Sequence, residues 1–220
     1  MHTRRFFLSA ACLGLATIAG PAEVLAQGTG DALARSIQAH YQQVKDFTAA
    51  FEQSYVGGAL KRRTVERGTV AIRKPGRMRW DYEAPEKKLF VADGMRMYFY
   101  VPADRQVRVS AMPEAGRVPT PILFLAGRGD LLRDFTVEEV QAPMVGTRAL
   151  KLRPVRKEPE YETLTLVVDA TTFVMRQLIV VDGQGGTSTF SFTNLRENVG
   201  VAEGKFRFSM PKGVDVVTQE

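Results

Sequence analysis

The segment 68–100 alternates apolar and polar positions in short runs, a pattern typical of antiparallel strands. In the second run, the large apolar side chains fall on one face: Met78, Trp80 and Tyr82. Pro75-Gly76 suits the two central positions of a type II turn, and Asp93-Gly94 is a strong hairpin signal. We therefore expect four short strands that form one wall of whatever the protein binds.

The segment before this unit predicts a helix followed by a strand. Leu33, Ile37 and Tyr41 recur at helical spacing, and Asp31 is placed to cap the start of the helix. The predicted strand then carries its aromatic side chains on one face: Phe47, Phe51 and Tyr55. A turn at Gly57-Gly58 should lead into a strand that returns toward Arg73.

The centre of the chain predicts a loop and then a short apolar helix. Thr120 can cap this helix, Pro121 suits its first position, and the helix should end at Ala126. A helix of one or two turns is not stable alone, so we expect this one to lie on an apolar surface. The remaining pattern predicts strands at 135–141, 148–154, 162–168, 174–182 and 187–195, and a last short strand at Phe206 and Phe208.

Together these elements predict a mainly β fold with a few helices. About ten short strands follow one N-terminal helix, and one helical insertion interrupts them. We expect a single domain over residues 27–220, built as a strongly curved antiparallel sheet or unclosed β-barrel with a helical lid.

Residues 1–26 are organised like a signal peptide for export. A basic start at His2–Arg5 precedes an apolar run, and small residues precede Gln27. We expect cleavage after Ala26 and a periplasmic location. The segment Thr3–Leu8 also resembles a twin-arginine motif, so the general secretory and twin-arginine routes both stay open.

Candidate catalytic and metal-binding residues are scarce. Cys12 is the only cysteine and lies in the leader, so the mature chain has no thiol chemistry. His40 is the only histidine besides His2, so a histidine-based triad has a single candidate base and a metal site built from His and Cys lacks enough ligands. The net charge is +6, but alternation places Trp80 on the face opposite Arg79 and favours solvated arginines over a nucleic-acid site. We expect no enzymatic activity, no cofactor, no metal and no nucleic-acid partner.

Aromatic and methionine side chains concentrate on single faces of the predicted strands. On a concave sheet these side chains would form its lining: Phe47, Phe51, Tyr55, Met78, Trp80, Met97, Phe99, Phe190, Phe192, Phe206 and Phe208. An ordinary packed core would give the same composition. A barrel-like sheet without catalytic groups is nevertheless a reasonable container for an apolar ligand.

The order and spacing of several motifs resemble the outer-membrane lipoprotein carrier family (LolA). The shared features are Phe47-x3-Phe51-x-Gln53, Lys74-Pro75 with Arg79-Trp80, Asp93-Gly94 followed by Tyr98 to Pro102, Thr120-Pro121 before the apolar helix, and Phe208-x2-Pro211-x-Gly213-Val214-Asp215. The resemblance covers essentially the whole chain after the leader. It implies an unclosed antiparallel barrel whose cavity takes the acyl chains of lipoproteins beneath a helical lid.

The resemblance also implies partners and site residues. A monomer would receive acylated lipoproteins from an inner-membrane ABC transporter of the LolCDE type and deliver them to the outer membrane, with or without a dedicated acceptor. The implied cavity and lid residues are Ile37, Tyr41, Phe47, Phe51, Tyr55, Met78, Trp80, Ile122, Phe124 and Leu125. The alternatives are a related lipid sensor or glycolipid carrier on this fold and an exported hydrolase on a barrel scaffold.

One departure from the family concerns the implied lid latch. Family members often carry an arginine just before the proline, where it bonds carbonyls of the lid and holds the empty lid shut. This chain has Lys74 there, with Arg73 one residue earlier. Lysine is a flexible point charge rather than a planar fork. Two hypotheses follow: either Lys74 reaches carbonyls near Leu125 or Tyr41, or Arg73 replaces it from the other strand face.

Overall fold

The computed structural model describes residues 22–57, 62–112 and 129–219, most of them in strands. Helix α1 spans Ala22–Gln43, and the short helix α2 spans Leu131–Asp134. The strands are β1 Asp46–Gly57, β2 Arg62–Arg73, β3 Arg77–Ala84, β4 Lys88–Asp93, β5 Arg96–Val101, β6 Gln106–Ala111, β7 Phe135–Val140, β8 Thr147–Pro154, β9 Thr163–Asp169, β10 Met175–Val181, β11 Thr187–Glu197 and β12 Asp215–Gln219.

All twelve strands belong to one sheet, in the order β12-β6-β5-β4-β3-β2-β1-β11-β10-β9-β8-β7. Neighbouring strands are antiparallel except β12, which runs parallel to β6. The sheet is not closed, because β12 and β7 lie at its two ends. The predicted fold class, mainly β with an unclosed sheet, is therefore confirmed. The parallel strand β12 was not predicted, because the last predicted strand is the one at Phe206 and Phe208.

The sheet curls strongly toward one side, which we call the inner face. Trp80 on β3 and Phe190 on β11 are three strands apart, a separation of about 14 Å across a flat sheet. Their ring centroids nevertheless lie 5.6 Å apart. The inner face, defined as the side of the sheet that carries Trp80, therefore wraps around a buried core.

Helix α1 closes part of this core at the β7 end of the sheet. Its buried side includes Leu33 and Ile37, both fully buried. A Cβ at Gly30 would lie 3.1 Å from the backbone nitrogen of Glu139, so the helix approaches β7 closely. The predicted N-cap at Asp31 is wrong, because the helix begins at Ala22. Neither described helix is long and apolar enough to cross a membrane.

The strands after residue 134 match their predicted bounds within two residues, but the predicted strand at Phe206 and Phe208 is wrong. Residues Glu203–Phe206 form a 3-10 turn instead. Phe206 packs with Ala71 on the outer face, and the ring of Phe208 also lies outside, 4.8 Å from that of Tyr98. Both phenylalanines hold the C-terminal segment to the sheet and do not line its inner face.

The connection between β2 and β3 differs from the predicted turn. Arg73 pairs with Arg77, so three residues form the loop rather than the two central residues of a type II turn. Gly76 has a φ of 68°, which is the positive φ expected of it. The first loop residue, Lys74, thereby comes to lie beside the end of α1.

Candidate functional site

Cross-strand register arranges the inner face into apolar rows, because directly opposed residues share a face. One row crosses from β1 to β5 and contains Ala49, Val70, Trp80, Phe90 and Phe99. The next row contains Phe47, Ile72, Met78, Ala92 and Met97. Side chains on β1 to β3 are buried in these rows, whereas those of Phe90, Phe99 and Met97 are only half-buried. The wall therefore becomes more open toward β5.

Trp80 lies at the centre of an aromatic cluster. Its ring makes edge contacts with Phe51 and Phe190, at centroid distances of 4.9 and 5.6 Å, and lies 6.1 Å from that of Phe192. The side chain is 1% exposed, and its indole N–H has no hydrogen-bond partner among the residues that the structure describes. A buried donor without a partner costs about 1–3 kcal/mol. A ligand oxygen that reached this N–H would recover part of that cost.

Gly68 makes room for a second aromatic contact, in a third row that lies on the other side of the Trp80 row. It lies between Phe51 and Tyr82, whose rings meet at a centroid distance of 5.0 Å. The Tyr82 hydroxyl donates to Oε1 of Gln53 at 3.0 Å. Burial raises the pKa of Tyr82, and the nearby Glu66 carboxylate raises it further. Tyr82 therefore stays neutral and gives this end of the inner face a polar boundary.

Lys74 links the β2–β3 loop to α1. Its Nζ donates a hydrogen bond to the backbone carbonyl oxygen of Tyr41 and lies 5.8 Å from the centroid of the Tyr41 ring. The backbone N–H of Lys74 donates to the carbonyl of Lys45 at 2.9 Å. Burial lowers the pKa of Lys74, and the Glu197 carboxylate opposes that effect. The lysine thus satisfies a carbonyl in the last turn of the helix.

Tyr41 extends this link across the sheet. Its hydroxyl accepts a hydrogen bond from the backbone N–H of Met175, at 2.9 Å, on β10. Burial is the largest cause that raises the pKa of Tyr41, so the phenol stays protonated. Beside it, His40 Nε2 lies 3.0 Å from Oε1 of Glu197 on β11. The end of α1 is therefore tied to both halves of the sheet.

Arg73 points to the opposite, outer face. Its guanidinium donates to the carbonyl oxygen of Val201 at 2.6 Å. Two further arginines hold the same segment: Arg77 pairs with Glu203 at 2.8 Å, and Arg79 donates to the carbonyl of residue 205 at 3.5 Å. Arg73 thus fastens the C-terminal segment, whereas Lys74 contacts the helix.

The structure brings most of the predicted cavity residues together. One buried cluster contains Ile37, Tyr41, Phe47, Phe51, Met78 and Trp80. Tyr55 lies outside that cluster, where its hydroxyl donates to the Asp182 carboxylate at 3.3 Å. The predicted lid residues fall outside the described residues: Ile122, Phe124 and Leu125. The binding roles of all these residues, and the latch roles of Lys74 and Arg73, stay predictions.

Phe90 is a wall residue that the sequence pattern does not predict. It occurs in the unbroken apolar run Leu89–Val91, where alternation cannot assign a face. Only its register opposite Trp80 and Phe99 places it on the inner side.

Within the described ranges, no group of three His, Cys, Asp or Glu side chains is placed to hold a metal ion.

Comparison with known proteins identifies the family. The profile described as outer membrane lipoprotein carrier protein LolA matches residues 42–209. An outer-membrane lipoprotein carrier protein of Cupriavidus taiwanensis is 31% identical over 220 residues, covering 98% of this chain and 100% of the relative. One from Chromohalobacter salexigens is 30% identical over 217 residues, covering 98% and 99%. A crystal structure of an uncharacterized conserved protein from Thermus thermophilus has a similar fold, with a TM-score of 0.52, 14% identity, and coverage of 84% of this chain and 99% of that chain. The chain belongs to the outer membrane lipoprotein carrier protein LolA family.

Proposed function

We propose that this protein carries lipoproteins through the periplasm, with their acyl chains bound on the inner face of the sheet. The observation that carries the proposal is the graded apolar wall. Trp80 is buried at its closed end, while Phe90 and Phe99 remain half-buried toward β5. Such a wall offers apolar contact to a chain that enters from the open side. Membership of the LolA family supports lipoproteins as the cargo.

Binding must be reversible for a carrier to deliver its cargo. Each acyl methylene removed from water contributes about 0.8 kcal/mol, so a long chain buried completely would be held too tightly to leave. The predicted apolar helix at residues 120–126 supplies a competitor for the same wall. In the empty state it covers the wall, and on loading it gives way to the acyl chain.

Lys74 is the better candidate for the latch that favours the closed state. It contacts the Tyr41 carbonyl on the side of the sheet where α1 lies, whereas Arg73 is engaged with Val201 on the outer face. A hydrogen bond from a charged donor contributes about 1.5–3 kcal/mol, which is small beside the burial of an acyl chain. The latch can therefore bias the lid without preventing loading.

The transfer steps follow from the same proposal. The protein receives its cargo from an inner-membrane ABC transporter of the LolCDE type and releases it at the outer membrane. Carriage of this kind requires no bond to be made or broken in the cargo, so the protein acts without catalysis. Export by the leader at residues 1–26 places it in the periplasm.

Extraction of a lipoprotein from transporter-bearing vesicles tests the proposal. Phe99→Asp places a charge on the open part of the inner face, and Tyr100→Asp places the same charge on the adjacent outer position. We expect Phe99→Asp to reduce extraction at least about tenfold, since an acyl chain would have to desolvate the new carboxylate together with Arg108, which lies directly opposite it. Tyr100→Asp should extract at nearly the natural rate. Normal extraction by a folded Phe99→Asp protein would overturn the proposed site.

A further inference from the structure

The row that contains Trp80 reaches a cation on β6. Phe99 on β5 lies directly opposite Arg108 on β6, so Arg108 shares the inner face and follows Phe90 and Phe99 across the sheet. Its Nε donates to Oε1 of Gln106 at 3.3 Å, as expected for residues two apart on one strand face. Arg108 thus follows the aromatic part of the wall, and only Val217 on the edge strand β12 lies beyond it in the row.

Among the residues that the structure describes, no carboxylate neutralises the guanidinium of Arg108. The side chain is exposed, and it forms no ion pair with any residue in the described parts of the chain. The arginines on the outer face of β2 and β3 differ, because Arg73, Arg77 and Arg79 all hold the C-terminal segment. Arg108 is therefore a charge left available beside an apolar surface.

We propose that the inner face binds acyl amphiphiles whose chain ends in an anionic group, and that Arg108 holds that group. This inference rests on the proposed function, because it needs the acyl chain to lie along the row from Trp80 to Phe99. Arg108 lies three strands from Trp80, about 14 Å along the row. The chain then spans the wall while its head reaches the guanidinium. A carboxylate and a phosphate both fit the planar fork of arginine.

Amphiphiles that share one chain and differ in their heads test this preference. Dodecanoate and dodecyl phosphate are the anionic probes, 1-dodecanoylglycerol is neutral, and dodecyltrimethylammonium is cationic. Trp80, the only tryptophan of the chain, reports binding by its fluorescence. Below the micellar concentration, we expect at least one anion to bind about three- to fivefold more tightly than the neutral probe, the size of an exposed charge interaction. Preference for only one anion would identify the head as carboxylate or phosphate.

Arg96 supplies the matched control for Arg108. It is also an exposed arginine, on β5, but it shares the outer face with Tyr98. Arg108→Ala should abolish the preference for anions and leave binding of the neutral probe unchanged, whereas Arg96→Ala should keep the preference. The inference would be overturned if the natural protein bound anionic and neutral probes equally, or if the preference for anions survived in Arg108→Ala. Neither result would count against the proposed function. Binding of none of the probes would instead count against the proposed function.

Discussion

Replacement of Lys74 by leucine tests the link between the β2–β3 loop and α1. The substitution removes the hydrogen bond from Nζ to the Tyr41 carbonyl and leaves that carbonyl without its charged partner. A charged donor contributes about 1.5–3 kcal/mol, and partial exposure of Lys74 favours the lower end of that range. Burial of the ammonium is a cost that leucine avoids. We therefore expect Lys74→Leu to lower the free energy of unfolding by about 1 kcal/mol.

Urea unfolding measures this loss, and Lys45 provides the matched control. Lys45 is an exposed lysine close to the same end of α1, so Lys45→Leu should change the free energy of unfolding by less than about 0.5 kcal/mol. Lys74→Arg can still donate to the Tyr41 carbonyl and should be close to the natural protein. In transfer assays, the proposed latch role predicts that Lys74→Leu loads normally but delivers slowly. Natural stability and natural delivery in Lys74→Leu would refute this account of the latch.

The difference in stability between the natural protein and Lys74→Leu should depend on pH, and the pKa shift of Lys74 predicts its direction. Burial lowers the pKa of Lys74 below its ordinary value of 10.5, so the unfolded chain binds the proton more tightly than the folded one. The charge then costs stability at neutral pH, and that cost disappears as the pH rises through the folded pKa toward 10.5. The stability advantage of the natural protein over Lys74→Leu should therefore widen in alkaline solution. A gap that narrows instead would mean that attraction to Glu197 outweighs desolvation.

Three further substitutions test other parts of the structure by urea unfolding. Gly68→Ala should lower the free energy of unfolding by more than about 2 kcal/mol, because its Cβ would overlap the backbone carbonyl oxygen of Asp81 on β3. Gly183 has open space around it, so Gly183→Ala should change the free energy of unfolding by less than about 0.5 kcal/mol. Equal losses in the two variants would contradict the packing at Gly68. Phe206→Ala should lose about 3–5 kcal/mol and expose the C-terminal segment to proteases, and resistance to cleavage would argue against that anchoring. Asp169→Asn should be less stable than the natural protein at neutral pH, and the difference should shrink steadily as the pH falls below 3.8, because the Thr172 backbone N–H and the Arg176 side chain hold the pKa of Asp169 well below that value; a difference that does not shrink in acid would show that charge is not its origin.

Sequence periodicity predicted most elements of the fold because it records which side of each strand is buried. The alternation around Trp80 placed its strand face correctly, and the later strands fell within two residues of their bounds. Phe206 and Phe208 alternate in the same way, yet they lie on a segment packed against the outer face. Alternation shows that one side of a segment is buried. It does not show whether the segment is itself a strand of the sheet or is packed against the face of the sheet. The helix start at Ala22 was missed because Asp31 can serve equally as a cap or as an exposed helix residue.

The site depends on contacts between distant residues, which local patterns do not contain. The rings of Trp80 and Phe190 meet only because the sheet curls, and no short stretch of sequence specifies that curvature. The inner position of Phe90 and the placement of Arg108 beyond Phe99 in the same row both require the strand register. The separation of Lys74 and Arg73 to opposite faces likewise depends on a three-residue loop rather than a two-residue turn.

Photo-cross-linking during loading tests most directly whether acyl chains bind on the inner face. p-Benzoylphenylalanine is introduced at Phe90, on the inner face of β4, or at Tyr98, on the outer face of the adjacent strand β5. Each variant is loaded with an acylated lipoprotein from transporter-bearing vesicles and irradiated, and cross-linked peptides are identified by mass spectrometry. The account predicts a cross-link to an acyl chain from position 90 and none from position 98. Acyl cross-links from position 98 alone, with both variants folded and loaded, would contradict it.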